Sequence, residues 1–153
     1  MPHSYTQIYL QLIFAVKYRR AVIHHSWANE LFAVITNLIK EANCQPIIVN
    51  GVEDHVHCFV RMRPPVSVSE LMKIVKGKSS KYINDRGLTK DHFEWQRGYG
   101  AFSYSQSQFR QVYIYIANQH QRHKRQTFRQ EFRTLLQKFR IQHDDQTSFE
   151  ELM

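Results

Sequence analysis

Residues 45–62 of the chain read QPIIVNGVEDHVHCFVRM, and this stretch predicts two neighbouring β-strands. Gln45 to Val52 and His55 to Met62 are both rich in β-branched and other apolar residues. The link between them, Asn50 to Asp54, has the size of a β-hairpin connection. Pro64-Pro65 ends the second strand, because proline cannot donate to the hydrogen-bond ladder of a sheet.

The segments on either side of this hairpin show strand and helix patterns in turn. Tyr5 to Lys17 alternates polar and apolar residues, which predicts a long half-buried strand. A helix through Trp27 and Ala42, capped by Ser26, is predicted next, and a second helix begins at Ser67-x-x-Glu70 and ends near Gly87. A short strand follows at Gly98 to Ser103. Two further helices are predicted, one opened by Ser105-x-x-Gln108 and reaching about His120, and a last one opened by Thr127-x-x-Gln130. This order predicts an α+β fold, namely a split βαβ (ferredoxin- or RRM-like) antiparallel sheet with packed helices and additional C-terminal helices.

Length and composition predict one globular domain. The 153 residues fit a single domain, 42% of them are hydrophobic, and no run of about 18 apolar residues is long enough for a membrane span. Cys44 and Cys58 are the only cysteines and lie far apart, which favours a reducing cytoplasm. No signal peptide is predicted, because no basic residue precedes the first apolar run.

Charge is distributed unevenly along the chain. Residues 1–142 contain 21 Lys and Arg but 9 Asp and Glu residues, a net charge of +12. Residues 143–153 contain four acidic residues and no basic residue, so we predict a basic domain over 1–142 and a loose acidic tail. A body with this charge attracts polyanions, of which nucleic acid is the usual one. A basic surface that serves solubility alone is the alternative.

Two histidines lie in the second strand of the hairpin. His55 and His57 are at positions i and i+2, so they project from the same side of a strand. Two imidazoles on one side of a strand can share a metal ion. The alternative is that both are ordinary polar residues on a solvated strand face.

A second candidate group lies on the helix that follows Ser105. Tyr115 and Gln119 are four residues apart, so they are neighbours on one helix face, and Gln119 falls within the apolar sector. A glutamine that faces the packed side needs a polar partner, such as a metal ion or a water bound to phosphate. Tyr113, on the flank of the same helix, is the rival candidate nucleophile. A tyrosine at the edge of the core and a glutamine bonded to the backbone are the alternative.

Basic residues are interleaved with aromatic and hydroxyl side chains in three segments. Lysine and arginine can neutralise phosphates, and tyrosine and tryptophan can stack on unpaired bases. The predicted DNA-binding residues are Lys17, Arg19, Arg20, Lys73, Lys76, Lys78, Ser79, Lys81 and Arg97, with Trp95 and Tyr99 as stacking candidates. Exposed lysines on a solvated helix face are the alternative, but the charge is unbalanced rather than paired.

Together these segments resemble the family of small tyrosine transposases of the IS200/IS605 type, which are HUH enzymes. The resemblance covers roughly residues 4–141 and rests on the opening SYTQIYLQLIFAVKYRR, NGVEDHVHCFV, the helix PPVSVSELMKIVKGKSSKYIN, FEWQRGYGAFSYS, YIANQ and HKRQTFRQEFRTLL. The joint order and spacing of these motifs is specific, whereas no single motif is. At the position of Gln11, the family often has a histidine.

The resemblance implies an enzyme that cleaves and rejoins single-stranded DNA by transesterification through a 5′-phosphotyrosine. It implies that Tyr115 is the nucleophile, that His55 and His57 are two metal ligands and that Gln119 is the third. The implied cofactor is a divalent metal, Mg²⁺ or Mn²⁺, and two imidazoles with one amide suit manganese better. The implied partners are DNA with hairpin ends and a second copy of the chain, in a homodimer whose subunits share the active site. A bacterial, nucleoid-associated location in the cytoplasm follows from this function.

Two other functions fit the same sequence. A domesticated relative of REP type, which cuts hairpins of its host without moving itself, would have the same features. A non-catalytic RRM-like module that binds nucleic acid would share the topology, because fold alone does not decide function. RRM modules carry aromatic residues on the central strands, whereas the candidate strand here carries His55 and His57, which favours an enzyme.

Overall fold

The computed structural model describes residues 4–123 and 126–141 of the chain. The predicted acidic tail, residues 143–153, lies outside the described residues. The strands are β1 (Tyr9–Ala15), β2 (Gln45–Val52), β3 (His55–Arg61) and β4 (Gly100–Tyr104), and the helices are α1 (His25–Glu41), α2 (Val68–Asp85), α3 (Phe109–Ala117), α4 (Gln119–His123) and α5 (Phe128–Lys138). No described helix has both the length and the apolar composition that a membrane span requires.

The four strands form one antiparallel sheet in the order β2-β3-β1-β4. With α1 between β1 and β2, and α2 between β3 and β4, this order confirms the predicted split βαβ topology. The two-residue turn 53–54 joins β2 to β3, as the predicted hairpin requires. In the pairing of the two central strands, Ile13 lies opposite His57 and Ala15 lies opposite His55.

Helices cover both faces of the sheet, so the prediction that the first strand is half-buried is wrong. Leu12 and Phe14 lie on one face and pack in a core with side chains of α1 and α2. Ile13 and Ala15 lie on the other face and pack against α5, next to Phe59, which packs against α3. Successive residues of a strand point to opposite sides, so β1 and β3 contribute to both surfaces. We call these surfaces the α1–α2 face and the α3–α5 face.

The predicted capping residues begin the helices except at α1, and the Ser105 motif does so through a 3-10 turn, Gln106–Gln108, that precedes α3. The hydroxyl groups of Ser67 and Thr127 each accept a hydrogen bond from the backbone N–H three residues later, at 3.1 and 3.2 Å, and so begin α2 and α5. Helix α1 is the exception, because His24 rather than Ser26 is its cap. The ring of His24 accepts a hydrogen bond from the backbone N–H of Ser26, and the helix begins at His25, two residues earlier than a helix capped by Ser26 would.

The helix that was predicted to reach about His120 is broken at Asn118 into α3 and α4. The side-chain amide of Asn50, on β2, donates hydrogen bonds to the carbonyl oxygens of Ile116 at 2.8 Å and Ala117 at 3.3 Å. Carbonyl groups in the last turn of a helix have no N–H partner within that helix, so they need hydrogen-bond donors from outside it. The end of α3 is therefore attached to the hairpin that carries the two histidines.

Candidate active site

His55 and His57 project from the α3–α5 face of β3 into a buried site. Both are 0% exposed, and their ring centroids are 5.0 Å apart. The Nε2 atom of each ring lies 3.1 Å from Oε1 of Glu131. The two imidazoles share one side of the strand, as their spacing requires. The alternative of a solvated strand face is wrong, because α5 covers this surface.

The side chains of the site converge on Glu131, which lies on α5. This residue is 2% exposed. While Oε1 contacts the two imidazoles, Oε2 accepts hydrogen bonds from the hydroxyl of Tyr115 and, at 3.2 Å, from Nε2 of Gln119. A buried carboxylate needs donors of this kind, because removing it from water is costly. One carboxylate therefore connects the histidine pair to the tyrosine and the glutamine.

The site residues predicted from the sequence do not include Glu131, although its spacing from apolar residues indicates a buried carboxylate. It lies three residues after Phe128 and four before Leu135, both of which are buried. Residues at these spacings share one face of a helix, so the carboxylate belongs to the apolar stripe of α5. A carboxylate on such a stripe must find its partners inside the fold.

Aromatic packing places α5, and with it Glu131, over the histidines. The ring centroid of Phe128 lies 4.4 Å from that of His55, and Phe132 stacks on Phe128 with centroids 5.6 Å apart. Gly100 of β4 permits this close approach, because a Cβ atom there would lie 2.7 Å from the ring of Phe132. The aromatic side chains of α5 thus determine the position of the carboxylate.

Tyr115 and Gln119 reach the site from α3 and α4. Tyr115 is half-buried, and its ring centroid lies 6.0 Å from that of His57. Tyr113, the rival candidate, is 42% exposed on the same helix. Gln119 is fully buried, and no described group donates a hydrogen bond to its Oε1 atom. The structure therefore brings Tyr115 to the imidazoles and places an unsatisfied amide oxygen beside them.

Asp54 orients His55 and helps to raise its pKa. The Nδ1 atom of His55 donates a hydrogen bond to Oδ1 of Asp54 at 2.8 Å. Burial lowers the pKa of His55, but the hydrogen bonds and negative charges of Asp54 and Glu131 outweigh that effect, so the pKa is raised above its usual value. A carboxylate oxygen therefore lies within hydrogen-bond distance of each ring nitrogen of His55.

A different pair of residues supports His57. Gln11 of β1 is buried, and its Nε2 atom lies 2.9 Å from Nδ1 of His57. The hydroxyl of Tyr104 donates a hydrogen bond to Oε1 of Gln11 at 2.7 Å. Burial raises the pKa of Tyr104 to about 12, so this hydroxyl stays protonated at neutral pH. The second histidine is therefore held by an amide rather than by a carboxylate.

The cluster has the donor atoms of a divalent metal site. His55, His57 and Glu131 each offer one ligand atom, and these atoms lie within 4.8 Å of one another. The buried Oε1 atom of Gln119 adds an acceptor that the described residues leave unsatisfied, and a cation would satisfy it. Two imidazoles with two oxygen donors form a mixed set that suits Mn²⁺ and also admits Mg²⁺. The residues present therefore fit a divalent cation.

All three basic segments meet at one groove on the protein surface. Its volume is about 960 Å³, and its lining includes Lys17, Tyr18, Lys76, Lys81 and Arg97. Part of this charge is paired within the chain, because Lys17 contacts Glu94 at 2.9 Å and Lys81 contacts Asp85. The other predicted residues at the surface are the exposed Arg20, Lys73 and Lys78 and the half-buried Arg19.

Three side chains that were predicted to meet DNA form hydrogen bonds inside the fold. Ser79 is fully buried and accepts a hydrogen bond from Nε1 of Trp95 at 2.9 Å, and Trp95 is itself buried. The prediction for Ser79 is wrong, because a fully buried side chain cannot contact DNA. Trp95 lies in the lining of the groove, so its stacking role stays a prediction. The ammonium of Lys76 donates hydrogen bonds to the carbonyl oxygens of Gln96 at 2.6 Å and Gly98 at 2.8 Å. Lys76 therefore holds the segment that precedes β4, although it also lines the groove.

The sequence model of the family described as "Transposase IS200 like" matches residues 4–119 of the chain. The chain belongs to the IS200-like transposase family. The transposase of insertion sequence IS200 from Salmonella typhimurium is 27% identical over 104 residues, which are 65% of this chain and 68% of that protein. The ISDra2 transposase TnpA of Deinococcus radiodurans is 24% identical over 119 residues, or 74% of this chain and 85% of that protein. As an IS200-like transposase, the protein is a DNA-cleaving enzyme.

Solved structures share the fold of this IS200-like transposase. A Deinococcus radiodurans protein assigned as a transposase matches it with a TM-score of 0.64 and 21% identity, over 78% of this chain and 95% of that one. A REP-associated tyrosine transposase bound to a REP hairpin matches with a TM-score of 0.60 and 13% identity, over 80% of this chain and 73% of that one. These matches support the fold of this chain, a four-stranded antiparallel sheet with packed helices. Helix α5 and Glu131 lie beyond the residues that the family's sequence model matches.

Proposed function

We propose that this IS200-like transposase cleaves and rejoins single-stranded DNA by transesterification, with Tyr115 as the nucleophile. The observation that carries the proposal is the convergence of the Tyr115 hydroxyl and both imidazoles on the carboxylate of Glu131. A nucleophile, a proton acceptor and the donor atoms for a metal are thereby joined in one cluster.

In the first step, the phenol oxygen of Tyr115 attacks a phosphorus atom of single-stranded DNA. Free tyrosine titrates near pH 10, so the phenol needs a proton acceptor at neutral pH. The hydroxyl already donates its hydrogen bond to Oε2 of Glu131, which takes the proton. A bond forms between the phenol oxygen and phosphorus, and the bond from phosphorus to the 3′ oxygen breaks. The products are a 5′-phosphotyrosine and a 3′-hydroxyl, which receives the proton from Glu131.

In the second step, a 3′-hydroxyl of DNA attacks the phosphotyrosine and forms the new junction. The bond from phosphorus to the phenol oxygen breaks, and Tyr115 regains a proton. Glu131 relays this proton in the reverse direction, so the same pair serves both steps. Because the covalent link conserves the energy of the phosphodiester bond, rejoining needs no nucleotide cofactor.

We propose that Nε2 of His55, Nε2 of His57 and Oε1 of Gln119 hold Mg²⁺ or Mn²⁺, with Oε1 of Glu131 as a fourth, charged donor. When bound, the cation polarises the scissile phosphate and stabilises the negative charge of the transition state. The imidazoles can bind it only after losing the Nε2 protons that they donate to Glu131 in this arrangement. The carboxylate makes the donor set harder than two imidazoles and an amide alone.

We propose that the groove lined by Lys17, Lys81 and Arg97 receives the phosphate backbone of the DNA, with Tyr18 available for base stacking. Tyr18 is exposed at the rim, and Lys17 lies 5.5 Å from its ring centroid. A structural relative is bound to a REP hairpin, which supports DNA with hairpin ends as the substrate. A domesticated REP-type enzyme is the second candidate, and it would act on the same kind of DNA.

The arrangement of Tyr115 and His57 bears on the predicted homodimer. The resemblance predicts that subunits share their active sites, but the tyrosine here meets the imidazole of its own chain. We therefore propose a homodimer in which each subunit cleaves with its own tyrosine. Mixing the variants Tyr115→Phe and His57→Ala tests this, because shared sites would restore one intact site. We expect no covalent adduct from the mixture, and a restored adduct would show that the sites are shared.

A covalent-adduct assay tests the proposed nucleophile. The protein is incubated with Mn²⁺ and a single-stranded hairpin oligonucleotide labelled at its 3′ end, and linkage that resists SDS is measured. We expect Tyr115→Phe to reduce the adduct by about 10³-fold or more while DNA binding persists. Tyr113→Phe is the matched control and should form the adduct normally. Adduct formation by Tyr115→Phe would move the nucleophile elsewhere.

A further inference from the structure

The two histidines of the site are held by chemically different partners. Nδ1 of His55 faces the carboxylate of Asp54, whereas Nδ1 of His57 faces the side-chain amide of Gln11. A carboxylate only accepts hydrogen bonds, so it keeps a hydrogen on Nδ1 of His55. An amide can present either its oxygen or its NH₂ group, so it is compatible with both neutral tautomers of His57.

In the described arrangement, Gln11 donates a hydrogen bond to His57. The Nε2 group of Gln11 can only donate, so Nδ1 of His57 accepts, and the ring hydrogen is on Nε2. That hydrogen bonds to Oε1 of Glu131 at 3.1 Å between heavy atoms. This tautomer has no lone pair at Nε2 for a cation. The tautomer that frees Nε2 has its hydrogen on Nδ1 and requires an acceptor at the position of Gln11.

Rotation of the Gln11 amide by about 180° supplies this acceptor. Its Oε1 atom then faces Nδ1 of His57, and its Nε2 atom faces the hydroxyl of Tyr104. That hydroxyl donates to Oε1 at 2.7 Å in the described arrangement, and a hydroxyl can equally accept from Nε2. Gln11 makes two hydrogen bonds in either orientation, so neither orientation leaves its buried amide unsatisfied.

We propose that Gln11 is a positioning residue that converts His57 between a Glu131-bonded tautomer and a cation-binding tautomer. Asp54, in contrast, holds His55 with a hydrogen on Nδ1 in both states. A cation therefore meets one histidine that has only to lose its Nε2 hydrogen and one whose tautomer must change. This inference rests on the metal site of the proposed function.

Nitrogen-15 NMR of the imidazole rings tests the conversion in the wild-type protein. Without metal, His57 should carry its hydrogen on Nε2, and addition of Zn²⁺ as a diamagnetic probe should transfer the hydrogen to Nδ1. His55 should keep a hydrogen on Nδ1 in both conditions. A His57 ring that already carries its hydrogen on Nδ1 before metal is added overturns the proposal.

Two variants separate the positioning role of Gln11 from its packing role. Gln11→Glu keeps the size but can only accept, so it should bind Mn²⁺ at least as tightly as the wild type. Gln11→Met keeps the length but offers no comparable acceptor, so it should bind Mn²⁺ about 10- to 100-fold more weakly. Gln106→Met is the matched control, because Gln106 also bonds a tyrosine hydroxyl, that of Tyr9 at 2.8 Å. Its described partner is not a histidine, so its Mn²⁺ affinity should be unchanged.

Electron paramagnetic resonance of free Mn²⁺ gives the affinities without DNA, and thermal unfolding is measured in parallel. Equal affinity of Gln11→Met and the wild type overturns the proposal, as does weakening in both Gln11 variants that follows their loss of stability. A wild-type protein that binds no Mn²⁺ overturns this inference together with the proposed metal site. The expected affinities without any DNA adduct would support the role of Gln11 while contradicting the proposed transesterification.

Discussion

The two faces of the sheet differ in composition, although the same strands build both. On the α1–α2 face, β1 and β3 contribute side chains such as Phe14 and Val56 to a continuous apolar core. On the α3–α5 face, the same two strands contribute Gln11 and His57 to a cluster that closes on Glu131. Because successive residues alternate between faces, one strand can serve packing on one side and chemistry on the other.

The two faces also contribute differently to stability. Burial of each large apolar side chain on the α1–α2 face contributes roughly 1.5–3 kcal/mol. A buried carboxylate with imidazole partners only about offsets its desolvation cost, and apolar residues of the same size would often be more stabilising. We therefore expect substitutions on the α1–α2 face to lower stability and substitutions in the polar cluster to lower activity.

Among the changes that compare the two faces, the largest effect is expected for Glu131→Gln. It removes the proton acceptor and charged donor without changing the size, so cleavage should fall by about 10²- to 10⁴-fold. Folding stability should stay the same or rise, because a buried charge is removed. Glu30→Gln is the matched control. Glu30 also accepts a hydrogen bond from a tyrosine hydroxyl, that of Tyr82, but it lies on α1 and is not part of the cluster. Adduct rates and urea unfolding measure both quantities, and wild-type cleavage by Glu131→Gln would remove the carboxylate from the mechanism.

On the opposite face, Phe14→Ala should have the reverse effect. Phe14 is fully buried and packs edge-to-face on Trp95 with ring centroids 4.7 Å apart. We expect the free energy of unfolding to fall by about 3–5 kcal/mol, while the cleavage rate per folded molecule stays near that of the wild type. Urea unfolding measures the free energy of unfolding, and active-site titration of the folded fraction gives the cleavage rate per folded molecule. A large loss of cleavage in the folded fraction would show that the faces are energetically coupled.

Gly100→Ala should affect both stability and cleavage. The added Cβ atom would lie 2.7 Å from the ring of Phe132 and 2.9 Å from that of Phe102, so these side chains must shift at a cost of about 1–3 kcal/mol. We expect the displaced Phe132 to move α5, and with it Glu131, away from the histidines. Gly77→Ala is the control, because nothing lies within 4 Å of its Cβ position on α2. It should stabilise the protein by about 0.5–1 kcal/mol, so it controls for the effect of an added methyl group on stability. Its cleavage is not part of the control, because Gly77 lines the groove proposed to receive DNA. Full cleavage by Gly100→Ala would show that the carboxylate does not depend on the position of α5.

The smallest effect concerns the alkaline stability that Tyr104 contributes. Its pKa is about 12 in the folded protein and about 10 in an unfolded chain, so the folded protein binds the proton more tightly. The stabilisation is complete below about pH 10 and is lost as the pH rises toward about 12. Tyr104→Phe should remove an ultraviolet titration component near pH 12 and make stability less dependent on pH in this range. An unchanged titration curve would contradict this assignment.

Local spacing was sufficient to predict much of the fold and part of the site. The hairpin, the caps of α2 and α5 and the order of the elements depend on residues close together in the sequence. The shared side of His55 and His57 depends on the period of a strand, and the burial of Gln119 depends on the period of a helix. Each of these features is decided within a few residues.

Features decided by long-range packing were not predicted. Glu131 is 76 residues from His55, and it reaches the site because the aromatic side chains of α5 pack over that face of the sheet. The same packing buries both sides of β1, which its alternation did not indicate. Ser79 is a different case. It lies four residues after Val75 and four before Ile83, both of which are buried, so the helical period predicts its burial.

The side chains of β3 alternate between the two faces of the sheet, so a change in the length of β3 is more damaging than a single substitution in it. If one residue were inserted between the turn 53–54 and His55, the ring of His57 would move into the apolar layer and Val56 would take its place at the site. A deletion there would put Cys58 in that place. A substitution changes one side of the sheet, whereas such a shift in register would disable folding and chemistry in a single event. Across diverging lineages, we expect length changes to accumulate in the segment 86–99 between α2 and β4 and to be excluded from β3.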